Sequence, residues 1–93
     1  MDITKPGNVR PLGYQQITSL SSATALTVPT GARLALIQPE TQSVRWRDDG
    51  TDPTASVGMP LGVGDTLPYT GELAKIKLIE TVASAKVNVA YYG

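Results

Sequence analysis

Short stretches of alternating apolar and polar residues recur along the chain. The clearest covers residues 43–48, where Val44 and Trp46 share one face and Arg45 and Arg47 the other. Residues 86–92 alternate in the same way as far as the end of the sequence. This two-residue period is typical of strands with one buried face. We predict strands at residues 13–20, 24–28, 32–38, 43–48, 57–61, 66–69, 75–81 and 86–92.

Glycines and prolines separate these stretches throughout, and the chain has 9 Gly and 7 Pro in 93 residues. The intervals between them suit short strands and leave no room for helices of ordinary length. Residues 73–81 are ambiguous, because Leu73, Ile76, Ile79 and Ala83 also fit a helical stripe, and we expect a helical turn at residues 72–74 before the strand. The sequence predicts an all-β fold, a small jelly-roll-like β-sandwich of seven to eight short strands.

The polarity of each stretch predicts its place in a sheet. Residues 13–20 carry polar side chains on both faces, which favours an edge or interface strand, whereas residues 32–38 are apolar on both faces, as in a central strand. Pro60 suits an edge position or a bulge, and Pro68 indicates a further edge strand, because proline cannot donate a ladder hydrogen bond. Trp46, the single tryptophan, is interpreted as a core anchor.

Residues 1–12 show no period and are predicted to form an extended N-terminal arm that precedes a sandwich domain of residues 13–93. Ile3, Val9 and Leu12 are isolated apolar positions in this arm. The arm is either a frayed terminus or a segment that docks on a neighbouring subunit through those residues. No signal segment is visible in residues 1–7, and apolar runs are too short to cross a membrane.

Composition limits the chemistry that is available. The chain has no histidine and no cysteine, which removes the commonest general base, the commonest transition-metal ligand and all thiolate chemistry. Eight basic residues balance eight acidic residues, so the charge footprint of a nucleic-acid-binding protein is missing. We therefore predict no catalytic residue, no cofactor and no enzymatic activity. The missing histidines also argue strongly against a cupin-like barrel enzyme.

Three carboxylates lie close together at Asp48, Asp49 and Asp52. They could supply oxygen ligands to calcium, but their spacing is not that of an EF-hand loop and no bidentate glutamate follows. Asp-Gly and Asp-Pro pairs form turns, and Arg45 and Arg47 are available as ion-pair partners. We predict a structural loop with ion pairs inside the domain or with a partner, and no metal site.

Tyrosines are the remaining candidates for contact with a partner. Tyr91 and Tyr92 point to opposite faces of the last strand, so that Tyr91 packs inward and Tyr92 is either an interface anchor or an ordinary half-exposed residue. The predicted interface residues are Ile3, Val9, Leu12, Tyr14, Arg45, Arg47, Asp49, Asp52 and Tyr92.

Four segments together resemble a known group of proteins: residues 3–7 (ITKPG), 44–55 (VRWRDDGTDPTA), 58–61 (GMPL) and 87–92 (VNVAYY). They are similar to small β-sandwich virion proteins of tailed bacteriophages and prophages, most of all to capsid decoration (cement) proteins. None of these segments is a catalytic signature, and the RWRDDGT run is the most specific part.

The resemblance implies a non-enzymatic structural protein on the outer surface of the capsid. Such a protein would bind the major capsid protein as a dimer or trimer and stabilise the expanded head, with no nucleic acid or membrane as a partner. The alternatives are a head-fibre base, a connector or a tail-associated module. In a tail module that binds a receptor or carbohydrate, Tyr14, Trp46 and residues 49–54 would form an exposed platform.

Overall fold

Eight β-strands, and no helix, make up the part of the chain that the computed structural model describes, residues 9–93. The strands are β1 (Pro11–Ile17), β2 (Thr24–Ala25), β3 (Leu34–Glu40), β4 (Val44–Arg47), β5 (Met59–Leu61), β6 (Leu67–Tyr69), β7 (Lys77–Glu80) and β8 (Lys86–Tyr92). The first sheet has the order β1-β8-β3-β6 and the second the order β2-β7-β4-β5, with every pair antiparallel. The predicted all-β, sandwich-like fold is confirmed. Within residues 9–93 no helix has the length and apolar character needed to span a membrane.

The core lies between the two sheets and follows from the alternation in the sequence. In β8, Val87, Val89 and Tyr91 are buried, while the residues between them are exposed or half-buried. Val44 of β4 and Leu78 of β7 belong to the second sheet and are also fully buried. Burial of these apolar side chains is the main force that holds the two layers together.

The places of the strands agree with their polarity. β3 and β4 are interior strands, whereas β1, β5 and β6 are edge strands. The predictions that residues 13–20 and the strands around Pro60 and Pro68 lie at edges are therefore confirmed. Proline is tolerated in an edge strand because its nitrogen, which has no hydrogen to donate, can face solvent and not a neighbouring strand.

The strands pair in a nested order: the first strand pairs with the last, the second with the second-last, and so on inward. β1 pairs with β8, β2 with β7, β3 with β6 and β4 with β5. A two-stranded ribbon that is wound around a core gives this pairing, which supports the jelly-roll interpretation. We keep the jelly-roll assignment as a proposal.

The boundaries of several strands differ from the predicted ones. β3 continues through Pro39 and Glu40, which were expected to form a turn. The Pro39 carbonyl accepts from Gly64 N at 3.0 Å, on the side away from β8, so the missing N–H removes no bond to β8. Thr41, with a positive φ of 71°, makes the turn instead.

The ambiguous segment before β7 contains a single hydrogen-bonded turn and no helix. Lys75 N donates to the Glu72 carbonyl at 2.9 Å, and the strand begins at Lys77, two residues later than predicted.

Near the N-terminus, β1 begins at Pro11, two positions before the predicted start of the sandwich. Residues 1–8 of the predicted arm lie outside the described residues.

Candidate functional site

Arg45 organises the loop between β4 and β5, residues 48–58. Its Nε donates to the Ala55 carbonyl at 3.2 Å and its Nη1 donates to the Gly58 carbonyl at 2.9 Å. The loop approaches β4 so closely that a Cβ at Gly58 would lie 3.1 Å from Arg45 Cβ, and Gly58 has a φ of 143°. Glycine is required at this position for both reasons. The predicted interface residue Arg45 therefore serves the loop of its own chain.

The three loop carboxylates each have a donor from the same chain. Arg47 forms a two-pronged pair with Asp49, with Nε–Oδ1 and Nη2–Oδ2 distances of 3.0 and 2.5 Å. This hydrogen bonding lowers the pKa of the Asp49 carboxyl and raises the pKa of the Arg47 guanidinium. Asp52 accepts from Lys77 Nζ at 3.0 Å, and Asp48 accepts from the Tyr69 hydroxyl at 2.6 Å.

These pairs explain the acidic cluster as part of the loop structure. The Arg47–Asp49 pair agrees with the predicted ion pairing inside the domain. Lys77 and Tyr69, which hold the other two carboxylates, were not among the predicted partners. Among residues 9–93 no group of three or more acidic, histidine or cysteine side chains is arranged to hold a metal ion.

An open groove of about 580 Å³ runs beside this loop, and we call it the Trp46 groove. It is lined by Trp46, Arg47, Asp48, Asp49, Val57, Gly58 and Met59. Val57 and Met59 are 52% and 56% exposed, so the apolar part of the lining is open to a partner. The volume lies within the range of about 300–1,000 Å³ that is typical of ligand-binding pockets.

Trp46 lies at the border between the core and the groove. Its ring is half-buried, and its centroid is 6.0 Å from that of Tyr69 at an interplanar angle of 67°. It packs against the core cluster without belonging to its fully buried centre. This edge-to-face contact holds the indole in place, while one part of the ring lines the groove. Trp46 is thus an anchor at the core margin.

Tyr69 contacts two of the groove-lining residues, through its ring to Trp46 and through its hydroxyl to Asp48. Burial raises the pKa of Tyr69 to about 12, and the Asp48 hydrogen bond contributes in the same direction. The neutral phenol therefore donates to Asp48 throughout the physiological range. A smaller depression of about 180 Å³ surrounds the Asp52–Lys77 pair, beside the loop of residues 48–58. It adds no further functional group to the Trp46 groove.

Among the other predicted interface residues, Leu12, Tyr14 and Tyr92 lie on the first sheet. Tyr14 on β1 is 66% exposed, and its hydroxyl donates to the Asn88 side-chain oxygen. Leu12 is exposed on the same strand, while Val9 and Tyr92 are half-buried. Ile3 lies outside the described residues. Of the predicted interface residues that the structure describes, only Arg47 and Asp49 therefore line the Trp46 groove.

The platform expected for a carbohydrate-binding module forms only in part. Trp46 and Asp49 line the same groove, but Tyr14 belongs to the far edge of the first sheet. Val57 and Met59 take part instead, and the sequence analysis did not identify them. Their signal was an apolar residue on each side of Gly58, in a segment otherwise classed as polar loop and short strand.

Comparison of the chain with protein-family models, with curated proteins and with solved structures finds no match in any of the three.

Proposed function

We propose that this chain is a non-enzymatic structural protein of a tailed-bacteriophage virion. In this proposal it is a capsid decoration protein that binds the major capsid protein at the outer surface of the head. The four resembling segments support this role, and so does an all-β domain with exposed apolar surface and polar groups that are paired with one another. The Trp46 groove is the observation on which the proposal depends.

The groove suits an uncharged apolar segment of the capsid subunit. Arg47 and Asp49 neutralise one another, and Asp48 is bound by Tyr69. A charged ligand would have to compete with these existing partners, whereas an apolar side chain would cover Val57 and Met59 and leave the polar rim intact. The loop that carries the groove is held by Arg45, so little ordering is required on binding.

Stabilisation of the expanded head would follow from a difference in affinity. A protein shifts an equilibrium between two shell states only by binding one of them more tightly than the other. If the apolar segment is accessible only in the expanded lattice, each bound copy favours that lattice. Many copies on one head then give a large total effect from modest individual contacts.

Virions from a host that carries the gene provide the direct test. We expect mass spectrometry to detect the 9.8-kDa chain in purified particles, and cryo-EM to show its density on the outside of expanded heads. Added back to heads stripped of it, the purified chain should bind expanded shells and not their unexpanded precursors. Density confined to the tail, or no chain in the particle, would contradict the proposal.

Substitutions in the groove test the site itself. Val57→Ser and Met59→Ser should together weaken binding to expanded heads by about tenfold or more, because full burial of an apolar side chain of this size contributes about 1.5–3 kcal/mol and tenfold in affinity corresponds to about 1.4 kcal/mol. Val63→Ser and Val82→Ser are matched controls, since these residues are 56% and 54% exposed and lie outside the groove. Equal loss in both pairs would place the contact elsewhere on the molecule.

A tail-associated module that binds carbohydrate is the second candidate. The observation that favours it is an indole ring beside Asp48, Asp49 and Arg47, because sugars are bound by aromatic stacking together with polar side chains. Binding of the isolated chain to a glycan array, with loss of the signal in Trp46→Leu, would support it. Absence of glycan binding together with density on the head would exclude it.

A further inference from the structure

The four edge strands differ in how well they are protected from pairing with another chain. β2 has two residues, and β5 and β6 have three residues each with a proline in the middle. Short length and proline are the usual devices that prevent edge-to-edge association. β1 has seven residues, and its one proline is the first of them. Among residues 9–93 no strand lies beyond β1 on the side away from β8.

A bulge shortens the regular part of β1 without removing this difference. Pro11 pairs with Tyr92 and Gly13 with Tyr91, so Leu12 is the extra residue. Residues 13–17 then continue in regular register with β8, and this stretch is still longer than any other edge strand. Alternate residues of it direct their N–H and C=O groups away from β8, because an antiparallel partner takes only every second pair.

The side chains on the outward face of β1 are already held in place. The Tyr14 hydroxyl donates to the side-chain oxygen of Asn88, and Gln16 Nε2 donates to the same oxygen at 3.1 Å. Asn88 Nδ2 in turn donates to Glu40 Oε1 at 2.8 Å. A tyrosine that is 66% exposed and yet ordered by hydrogen bonds loses little conformational freedom when a partner covers it.

We propose that β1 pairs with β1 of a second copy of this chain in an antiparallel, two-fold symmetric dimer. The two first sheets would join into one eight-stranded sheet in the order β6-β3-β8-β1-β1-β8-β3-β6. Charge permits a second copy as the occupant: β1 has no charged residue and the chain has a net charge of zero, so two identical edges meet without repulsion. A strongly acidic or basic strand would find no complementary charge on β1.

The dimer goes beyond the proposed function, because it concerns the isolated chain and holds whether or not the protein binds a capsid. Sedimentation velocity of the purified full chain from about 1 to 500 µM should show the mass rise from 9.8 kDa to twice that value. Over the same range, NMR should show chemical-shift changes and growing amide protection at residues 13–17. The other three edges should not change.

A charge on β1 should abolish the effect. Tyr14→Asp places two carboxylates in the interface, and we expect it to weaken dimerisation at least tenfold. Val63→Asp is the matched control and should dimerise like the parent chain, since Val63 is similarly exposed on the loop between β5 and β6. A circular dichroism spectrum and an unfolding midpoint close to those of the parent would show that Tyr14→Asp is folded. A chain that is monomeric at 500 µM, or a dimer indifferent to Tyr14→Asp, would overturn the proposal.

Discussion

Raising the pH from 9 to 12 is expected to destabilise the folded chain through two buried tyrosines. Tyr69 donates to Asp48 Oδ2 and Tyr91 donates to Gln15 Oε1, each at 2.6 Å. Burial raises the pKa of each hydroxyl from 10.0 to about 12, and the hydrogen bond to Asp48 adds to the effect at Tyr69. The folded chain therefore holds both protons more tightly than the unfolded chain does.

The sign and size of the effect follow from proton linkage. Below pH 10 both hydroxyls are protonated in both states, so their contribution to stability is fully present. Between pH 10 and 12 the unfolded chain loses these protons first, and the free energy of unfolding falls by up to about 1.4 kcal/mol per pH unit for each tyrosine. The Tyr69 hydroxyl donates to Asp48, which is exposed, so solvent screens part of the effect of this hydrogen bond on stability. We expect a total loss of about 1–2 kcal/mol per tyrosine against a typical stability of about 5–15 kcal/mol.

Urea unfolding at pH 9, 10, 11 and 12, followed by far-UV circular dichroism, measures this loss. Fluorescence is unsuitable, because ionisation of Tyr69 only 6.0 Å from Trp46 would change the emission without unfolding. Tyr69→Phe and Tyr91→Phe should each remove about half of the loss between pH 10 and 12, and the double variant should remove most of it. Contributions from lysines are common to parent and variants. A double variant that loses as much stability as the parent would refute the reasoning.

Three further changes test the packing and the backbone. Leu78→Ala, at a fully buried position of β7, should lower the free energy of unfolding by about 2–5 kcal/mol in urea titrations, and a cost below 1 kcal/mol would show that the core is not packed as described. Gly58→Ala should cost about 1–3 kcal/mol because its new Cβ meets Arg45, whereas Gly64→Ala, with a positive φ but open space, should cost only about 1 kcal/mol. Equal costs at the two glycines would contradict the close approach of the loop to β4. Ser84→Gly should raise the melting temperature slightly, since Ser84 has a φ of 73° that glycine adopts without strain, and a lower melting temperature would count against this.

Strand positions and edges could be predicted because they depend on local signals. Alternation in β8 fixed which residues are buried, and its predicted limits agree with the structure. Proline in the middle of β5 and of β6 indicated edge strands, because a central strand needs backbone donors toward both neighbours and proline has none. These features need no knowledge of the rest of the chain.

The candidate site was less predictable because its partners are distant in sequence. Asp52 and Lys77 are 25 residues apart, and Asp48 and Tyr69 are 21 apart. Their contacts depend on how the sheets pack and on the path of the loop, neither of which the pattern encodes. For the same reason Arg45 was expected to pair with a carboxylate, whereas the loop offers it two carbonyl oxygens.

The two proposed surfaces lie on opposite edges of the sandwich, and this bears on how they could work together. β1 and β6 are the outer strands of the first sheet, and the Trp46 groove lies on the β6 side, where Trp46 meets Tyr69. A dimer formed through β1 would therefore leave both grooves uncovered at its two ends. Under the proposed function, two linked grooves would engage two capsid subunits, and the second contact would then form at a high effective concentration. Bridging of adjacent subunits would thus require no tight individual site, which agrees with an open groove lined by few apolar residues.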